Sequence, residues 1–378
     1  MPTPPQTAPP GGASGITRRA RFAVVGSGYR AQFFNRLAHV LPDRFTVTGV
    51  VSRRAEPGGD VERTWDVPAY RTVAEALAAD RPDFVLVSVP WDVAPGVIRE
   101  LVAADVPVLV ETPPAPDVAG LRSLWADVGA SGLVQVAEHS PRMPAHAARI
   151  TLARRGVLGV PTSVQVSSTH EYHAVSLIRA MLGAGFDPVT VHARTFSAPL
   201  VSPLSRAGWT DDDEPHAATT TLATLDLGGG RSALYDFTDN QSRNRLRVNR
   251  LVLRGSHGEM VDDRLMRMTG PRTIVESHLV RRQTGVEQDL PGFDLEHLSL
   301  DGEVLYRNPF EGARLGDDDI AGASLLAGTA AWVAGDAPPP YPLAEGCQDH
   351  LVGRAIVESA RTGEVVRTGV EPWAGPVR

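Results

Sequence analysis

The stretch from Arg21 to Phe34 limits the fold of this chain more than any other. Phe22 to Val25 is a short apolar run suited to a buried parallel strand, and Gly26-Ser27-Gly28 is a tight turn. From Tyr29 to Leu41, apolar residues recur at Phe33, Phe34, Leu37 and Val40, the spacing of one helix face. Strand, glycine turn and helix in that order open a dinucleotide-binding βαβ unit. Gly26 allows the turn, Gly28 lets backbone approach a pyrophosphate, and Ala31 takes the third small position, where helix packs on strand. The helix start, at Tyr29 and Arg30, would offer free N–H groups and a partial positive charge to phosphates. Alone, the motif is weak and reads also as an ordinary strand-to-helix turn.

The next hundred residues supply its context. Strands are predicted over 46–51, 84–89, 106–110 and 133–137, with a short one after the connector Trp65 to Tyr70. Helices are predicted over 72–79, 93–104 and 118–130, the first capped by Thr72 with Glu75 three residues on, the last by Asp117. This alternation implies an α/β, doubly wound parallel sheet, a Rossmann domain over 21–141. The second strand ends at Ser52-Arg53-Arg54, the position facing the adenosine ribose. A carboxylate there accepts from the 2′-hydroxyl of NAD, whereas arginine accommodates the 2′-phosphate of NADP. A hydroxyl and two cations without a carboxylate favour NADP(H), with NAD second.

Beyond Arg142 the texture changes. After a predicted helix over 145–155 come long β-rich runs at 162–169, 189–198, 217–227, 231–239 and 247–254, many alternating apolar and polar residues. They imply an α+β domain over 142–378 with a large, mostly antiparallel sheet. Gly228-Gly229-Gly230 reads as a hairpin turn, and the acidic run Asp211 to Glu214 as a solvated loop. Arg243, Arg245, Arg247 and Arg250 recur on near-alternate residues, as a solvated strand face or as one that meets an anionic group. A last helix is predicted over 343–362. The first twenty residues, rich in Pro, Gly, Thr and Ala, have no apolar core of a signal peptide and read as a disordered tail.

The net charge of −7 over 378 residues argues against a nucleic-acid partner, and no apolar run approaches a membrane span. The one cysteine, Cys347, excludes an intramolecular disulfide, reads as a buried structural thiol and fits a cytoplasmic setting. No histidine–cysteine spacing suggests a metal site. Most telling, there is no lysine: all 37 basic residues counted as Lys+Arg are arginine. No ammonium can serve this chain as acid, base or Schiff-base amine.

The order of these features resembles the glucose–fructose oxidoreductase/inositol dehydrogenase (Gfo/Idh/MocA) family over roughly Arg21 to Gly363. The matching segments are the nucleotide turn Val24 to Ala31, Val67-Pro68-Ala69-Tyr70 with the helix after it, Pro90, Glu111-Thr112-Pro113, Gly255-Ser256-His257-Gly258-Glu259 and the Gln348-Asp349-His350 helix. The resemblance implies a Rossmann domain, a second domain whose outer sheet face makes dimers or tetramers, and a small-molecule substrate between them. It sets Val89, Pro90, Glu111 and Thr112 against the cofactor. Thr112 stands where the family carries the lysine that assists proton transfer, and cannot act as an acid or base near neutral pH. His173 matches the family's His-x-x-Asp histidine, but Ser176 replaces its aspartate, and Asp92 and Pro95 replace its Asn and His.

His173 is therefore the predicted acid–base residue, with a side chain suited to proton transfer near neutral pH. Tyr172 could donate its phenol proton if a cation lowered its pKa, and Glu171 could orient His173. His170, Glu171, Glu138 and Arg142 are predicted substrate contacts. Three readings are open: an NADP(H)-dependent oxidoreductase acting on a hydroxyl or ketone of a sugar-like molecule or secondary metabolite, a reductase of a C=N or conjugated C=C bond, and a non-redox nucleotide-binding protein.

Overall fold

The computed structural model describes residues 19–375. The predicted tail lies almost wholly outside them. The first half contains β1 (Ala20–Val25), α1 (Tyr29–Val40), β2 (Phe45–Val51), α2 (Ala55–Trp65), β3 (Ala69–Tyr70), α3 (Val73–Ala79), β4 (Phe84–Val87), α4 (Ala94–Ala103), β5 (Val108–Val110), α5 (Val118–Val128) and β6 (Val134–Val136). The strands form one six-stranded parallel sheet ordered β3-β2-β1-β4-β5-β6. The order reverses between β1 and β4, so the carboxyl ends of these two strands flank a crevice, the usual place for a ligand in such a sheet. Both faces are covered: Phe22 stacks on Phe84 at 5.4 Å on one side, while Val85 and Val87 pack on the other.

The caps behave as their residue types dictate. Thr72 Oγ1 accepts from the Glu75 N–H at 3.2 Å, and Glu75 Oε2 accepts from the N–H of Arg71 rather than that of Thr72. Asp117 Oδ1 accepts from Gly120 N at 2.7 Å. Two expectations need correction. Val40 is 39% exposed at the end of α1 and does not join the apolar face. Helix α2 has no counterpart in the sequence expectations; Pro57 is tolerated in it because it lies in the first turn, where its missing N–H has no intrahelical partner.

The second half contains α6 (Pro144–Arg154), β7 (Pro161–Ser167), α7 (Glu171–Leu182), β8 (Thr190–Leu200), β9 (Leu204–Ser205), β10 (Gly208–Trp209), β11 (His216–Asp226), β12 (Ser232–Thr238), β13 (Arg250–Gly255), β14 (Gly258–Val261), β15 (Arg264–Gly270) and β16 (Thr273–His278). After these come β17 (Val280–Thr284), β18 (Asp294–Leu300), β19 (Glu303–Arg307), α8 (Asp317–Val333), α9 (Leu343–Thr362) and β20 (Val366–Arg367). A nine-stranded sheet runs β16-β15-β14-β13-β7-β12-β11-β8-β20, antiparallel except between β7 and β12. Its inner face buries Val164, Val166, Ala193, Leu225, Tyr235 and Leu253 under the helices.

The β11–β12 hairpin turns on Gly228-Gly229-Gly230, all with positive φ (72°, 62° and 77°), as predicted. Residues 240–249 are a turn and not a strand, so Arg243, Arg245 and Arg247 share no strand face; β13 begins only at Arg250. Asp211 to Glu214 is an exposed loop in which Asp212 pairs with His216 at 2.9 Å. Among the described residues no group of three or more His, Cys, Asp or Glu could hold a metal ion, and no helix is long and apolar enough to cross a membrane.

Helices α8 and α9 return to the Rossmann sheet. Gly322 of α8 meets α1 so closely that a Cβ there would lie 2.6 Å from the Phe33 ring. Leu343, Cys347 and Leu351 of α9 join Val134 and Val136 in one apolar cluster, where burial pushes the Cys347 thiol pKa up. The first sheet ends at Val136 and the second begins at Pro161, while the helices after the second sheet pack on both.

Candidate active site

The cradle for a dinucleotide is built from backbone. Gly26 sits at φ +127°, and a Cβ there would lie 2.0 Å from the carbonyl oxygen of Ser88, so neither conformation nor space admits a side chain. Its N–H donates to Val51 O at 2.9 Å, which ties the turn to the end of β2. Gly28 is the N-cap of α1, has no side-chain cap, and has open space where a Cβ would be. The first-turn N–H groups of α1 therefore face a gap without a capping oxygen, an arrangement that fits a pyrophosphate. Tyr29, the first helical residue, is 58% exposed.

At the carboxyl end of β2, Ser52 is buried, and its Oγ donates to Arg54 O at 3.1 Å and lies 3.5 Å from Ser27 Oγ. Arg53 and Arg54 are exposed. Arg71, absent from the sequence expectations, joins this corner and donates to Ser52 O at 3.2 Å. Arg53, Arg54 and Arg71 thus stand around the carboxyl end of β2, a strand that carries no carboxylate. Val89 and Pro90 come after β4 at the crevice, with Pro90 O accepting from Val93 N at 2.9 Å.

From this cradle a polar chain runs inward. Arg30 Nε donates to Glu111 Oε1 at 2.9 Å, and its Nη1 lies 3.6 Å from Asp318 Oδ2. Asp318 Oδ1 accepts from His139 Nε2 at 2.8 Å. Burial alone would lower the Arg30 and His139 pKa values, but Glu111 and Asp318 raise the first and Asp318 and Glu138 the second. Asp318 sits in the first turn of α8, a helix that sequence periodicity does not announce. Its only signal is the run Asp317-Asp318-Asp319 after Gly316, a helix-start pattern. Two buried nitrogens on this chain, Arg30 Nη2 and His139 Nδ1, have no protein partner, as expected where a polar ligand completes the site.

A carboxylate–imidazole pair lies at the end of β6. Glu138, 1% exposed, accepts from Ser140 N through Oε1 at 2.8 Å and from His173 Nδ1 through Oε2 at 2.6 Å. Burial would raise the Glu138 pKa, but His173, His139 and the Ser140 N–H outweigh it and hold it down at about 2. Glu138 is thus a carboxylate at neutral pH and can only accept. His173 Nδ1 must carry hydrogen, leaving Nε2 as the nitrogen free to take or give a proton. The His173 side chain is 12% exposed, enclosed yet reachable.

Several expectations are corrected by this geometry. Glu138 is enclosed and bonded through both oxygens, to Ser140 N and to His173. The His173 ring, expected to be oriented by Glu171, is bonded through Nδ1 to Glu138 instead; the Glu171 N–H donates to Tyr235 Oη at 3.1 Å, and burial raises its carboxyl pKa against Arg354 and His173, which lower it. No cation lowers the Tyr172 pKa. Burial raises it strongly and the Glu138, Glu111 and Glu171 carboxylates add to this, opposed in part by a hydrogen bond with Thr112. Tyr172 is thus a neutral phenol beside the residue that replaces the family lysine. Arg142 donates to Pro340 O at 2.8 Å and lies near Tyr341 and Tyr306. His170 is exposed, with its ring 5.0 Å from that of His173; the surrounding protein and His173 pull its pKa down to about 4.

Residues 20–138 match the model of an oxidoreductase family with an NAD-binding Rossmann fold, GFO_IDH_MocA. Over these residues the chain is similar to that family. Solved structures extend the likeness of fold to nearly the whole chain. A myo-inositol dehydrogenase from Corynebacterium glutamicum is 16% identical, with a TM-score of 0.63 covering 93% of this chain and 99% of that one. Levoglucosan dehydrogenase, in complex with NADH and levoglucosan, is 15% identical, with a TM-score of 0.65 covering 93% and 99%. An oxidoreductase from Agrobacterium radiobacter, in complex with NAD+, L-tartaric acid and magnesium, is 16% identical, with a TM-score of 0.64 covering 92% and 98%. No curated protein matches the sequence. The whole chain has the Gfo/Idh/MocA architecture, and its first domain is that of an NAD(P)-binding oxidoreductase family.

Proposed function

We propose that this chain is an NADP(H)-dependent oxidoreductase that interconverts a hydroxyl and a carbonyl on a small sugar-like molecule or secondary metabolite. The observation that carries the reading is the Glu138–His173 hydrogen bond at the end of β6, joined through His139, Asp318 and Arg30 to the helix that starts at the glycine turn. A proton-handling histidine and a phosphate cradle on one polar chain suit a reaction that moves a proton and a hydride together.

Gly26, Gly28 and the first turn of α1 would hold the pyrophosphate, while Ser52, Arg53 and Arg54, joined by Arg71, would hold a 2′-phosphate. A bound nicotinamide dinucleotide would supply the hydride chemistry. The protein handles the proton. In oxidation His173 Nε2 takes the hydroxyl proton as the carbonyl forms, and Glu138 stabilises the imidazolium; in reduction the protonated ring returns it. Tyr172 and Thr112 hold the wall where the family lysine would stand, as neutral hydrogen-bonding groups. That lysine's absence favours, as a second reading, reduction of a C=N or conjugated C=C bond, in which His173 would protonate nitrogen or carbon.

The outer face of the nine-stranded sheet exposes Phe196, Leu222, Leu234, Met266 and Met268, which supports pairing with a second copy. The buried lone thiol of Cys347 supports a cytoplasmic setting. Titration with NADPH and NADH, followed by nicotinamide fluorescence, tests the cofactor assignment. Saturable NADPH binding with weaker NADH binding is expected; binding of neither would remove the redox reading.

A further inference from the structure

We propose that the substrate of this cleft is an anion, and that Arg243 binds its negative group beside His170. The inference names a substrate class for the site described above and rests on that reading. The turn after β12 is held at the cleft by side chains. Gln241 Nε2 donates to Ser167 O at 2.8 Å, three residues before His170, and Gln241 Oε1 accepts from Thr238 N at 2.9 Å. Asn240 Nδ2 donates to Ser202 Oγ at 2.8 Å, and Asn244 Nδ2 to Val201 O at 2.8 Å, which pins the turn to the segment leading into the β9–β10 hairpin. The Phe237 ring lies 5.9 Å from His170. Arg243 is carried between these anchors and is half-buried.

Most charged groups around this turn already have partners. Glu138 is engaged with His173, Glu111 with Arg30, and Asp318 with His139 and Arg30; nearer the turn, Asp236 pairs with Arg250, Asp239 accepts from Thr219 N, and Glu171 interacts with Arg354 and His173. Arg206 lies over the Tyr29 ring at 4.7 Å and Arg245 over the Trp209 ring at 5.8 Å. Among the described residues, Arg243 has neither a carboxylate partner nor an aromatic ring beneath it. Its charge is felt at His170, whose pKa it helps to lower. A guanidinium that no carboxylate occupies offers a fork of N–H donors that suits a carboxylate or a phosphate. An anionic group between Arg243 and His170 satisfies the guanidinium and leaves the rest of the molecule beside His173.

The test uses the full chain, with and without NADPH, and histidine ring resonances assigned by substitution. Inorganic phosphate, succinate and the neutral polyol erythritol are titrated separately at constant ionic strength. A saturable shift of the His170 resonance by phosphate or succinate, and none by erythritol, is expected; which anion binds more tightly tells phosphate from carboxylate. Arg243→Gln should raise the apparent Kd at least tenfold. Arg247→Gln, in the same turn but lining the 410 Å³ cavity with Thr220 and Asp236, should leave it unchanged. Arg243→Gln should also raise the His170 pKa in the free protein, a check that the substituted turn keeps its place. No saturable shift in the wild type, or equal affinity in Arg243→Gln, would overturn the proposal. NADPH binding is read separately by fluorescence: anion binding through Arg243 without cofactor binding would sink the redox reading alone, and the reverse would sink this one alone.

Discussion

The two ends of the cleft are built by different means. The proposed cofactor end is mainly backbone, made within residues 24–31 and closed by the end of β2, so its properties depend on which residues lack a side chain. The acid–base end is all side chain. Glu138, His139, His173 and Asp318 come from three separated segments and meet only because β6, α7 and α8 converge. The first kind of site tolerates little change at a few glycines; the second depends on pairings in which one partner sets the state of the other. If this contrast holds, substitutions at the two ends separate binding from turnover.

The largest effect is expected at His173. His173→Asn should lower turnover roughly 10²–10⁴-fold while NADPH affinity changes less than twofold, as read by single-turnover kinetics beside fluorescence titration. Equal losses in both would break the contrast. Gly26→Ala reverses the pattern. With φ at +127° and the Ser88 carbonyl 2.0 Å from the new Cβ, dinucleotide affinity should fall by roughly a hundredfold or more. A thermal melt would show whether the loss is local or global.

Glu138 gives a pH signature. Its folded pKa of about 2 is below its ordinary 4.5, so its contribution to stability is complete above about pH 4.5 and is lost as pH falls toward 2. Urea unfolding of Glu138→Gln across that window should take up about one proton fewer than the wild type. An unchanged acid slope would mean that the pair does not hold in solution. The smallest effect is at the ribose corner: replacing Arg53 and Arg54 by Ala should weaken NADPH about tenfold, ~1.4 kcal/mol, and leave NADH nearly unchanged.

The same contrast explains which parts of the molecule are legible in the sequence. Phe22 to Ala31 announces its turn because the residues that build it are adjacent, and the alternation to Ala137 reflects short-range periodicity. His173 can be picked out through a family pattern. Its partner cannot, because nothing local links Glu138 to a residue 35 positions away, and Glu171 two residues before His173 looks the nearer candidate. Asp318 is hidden with all of α8, a helix so rich in Ala, Gly and Leu that it lacks a polar face. The arginines of 243–250 look like a strand face because alternate charges resemble one, but Asn240 and Asn244 hold their backbone in a turn through contacts with residues 36 to 43 positions away.

Histidine NMR during a titration with NADPH tests most directly whether the two ends form one site. The polar chain from the glycine turn through Arg30, Asp318 and His139 to the Glu138–His173 pair predicts that the His139 and His173 ring resonances shift saturably, with the same Kd as nicotinamide fluorescence. NADPH that binds while both resonances stay in place would contradict the account, because cradle and acid–base pair would then belong to separate sites.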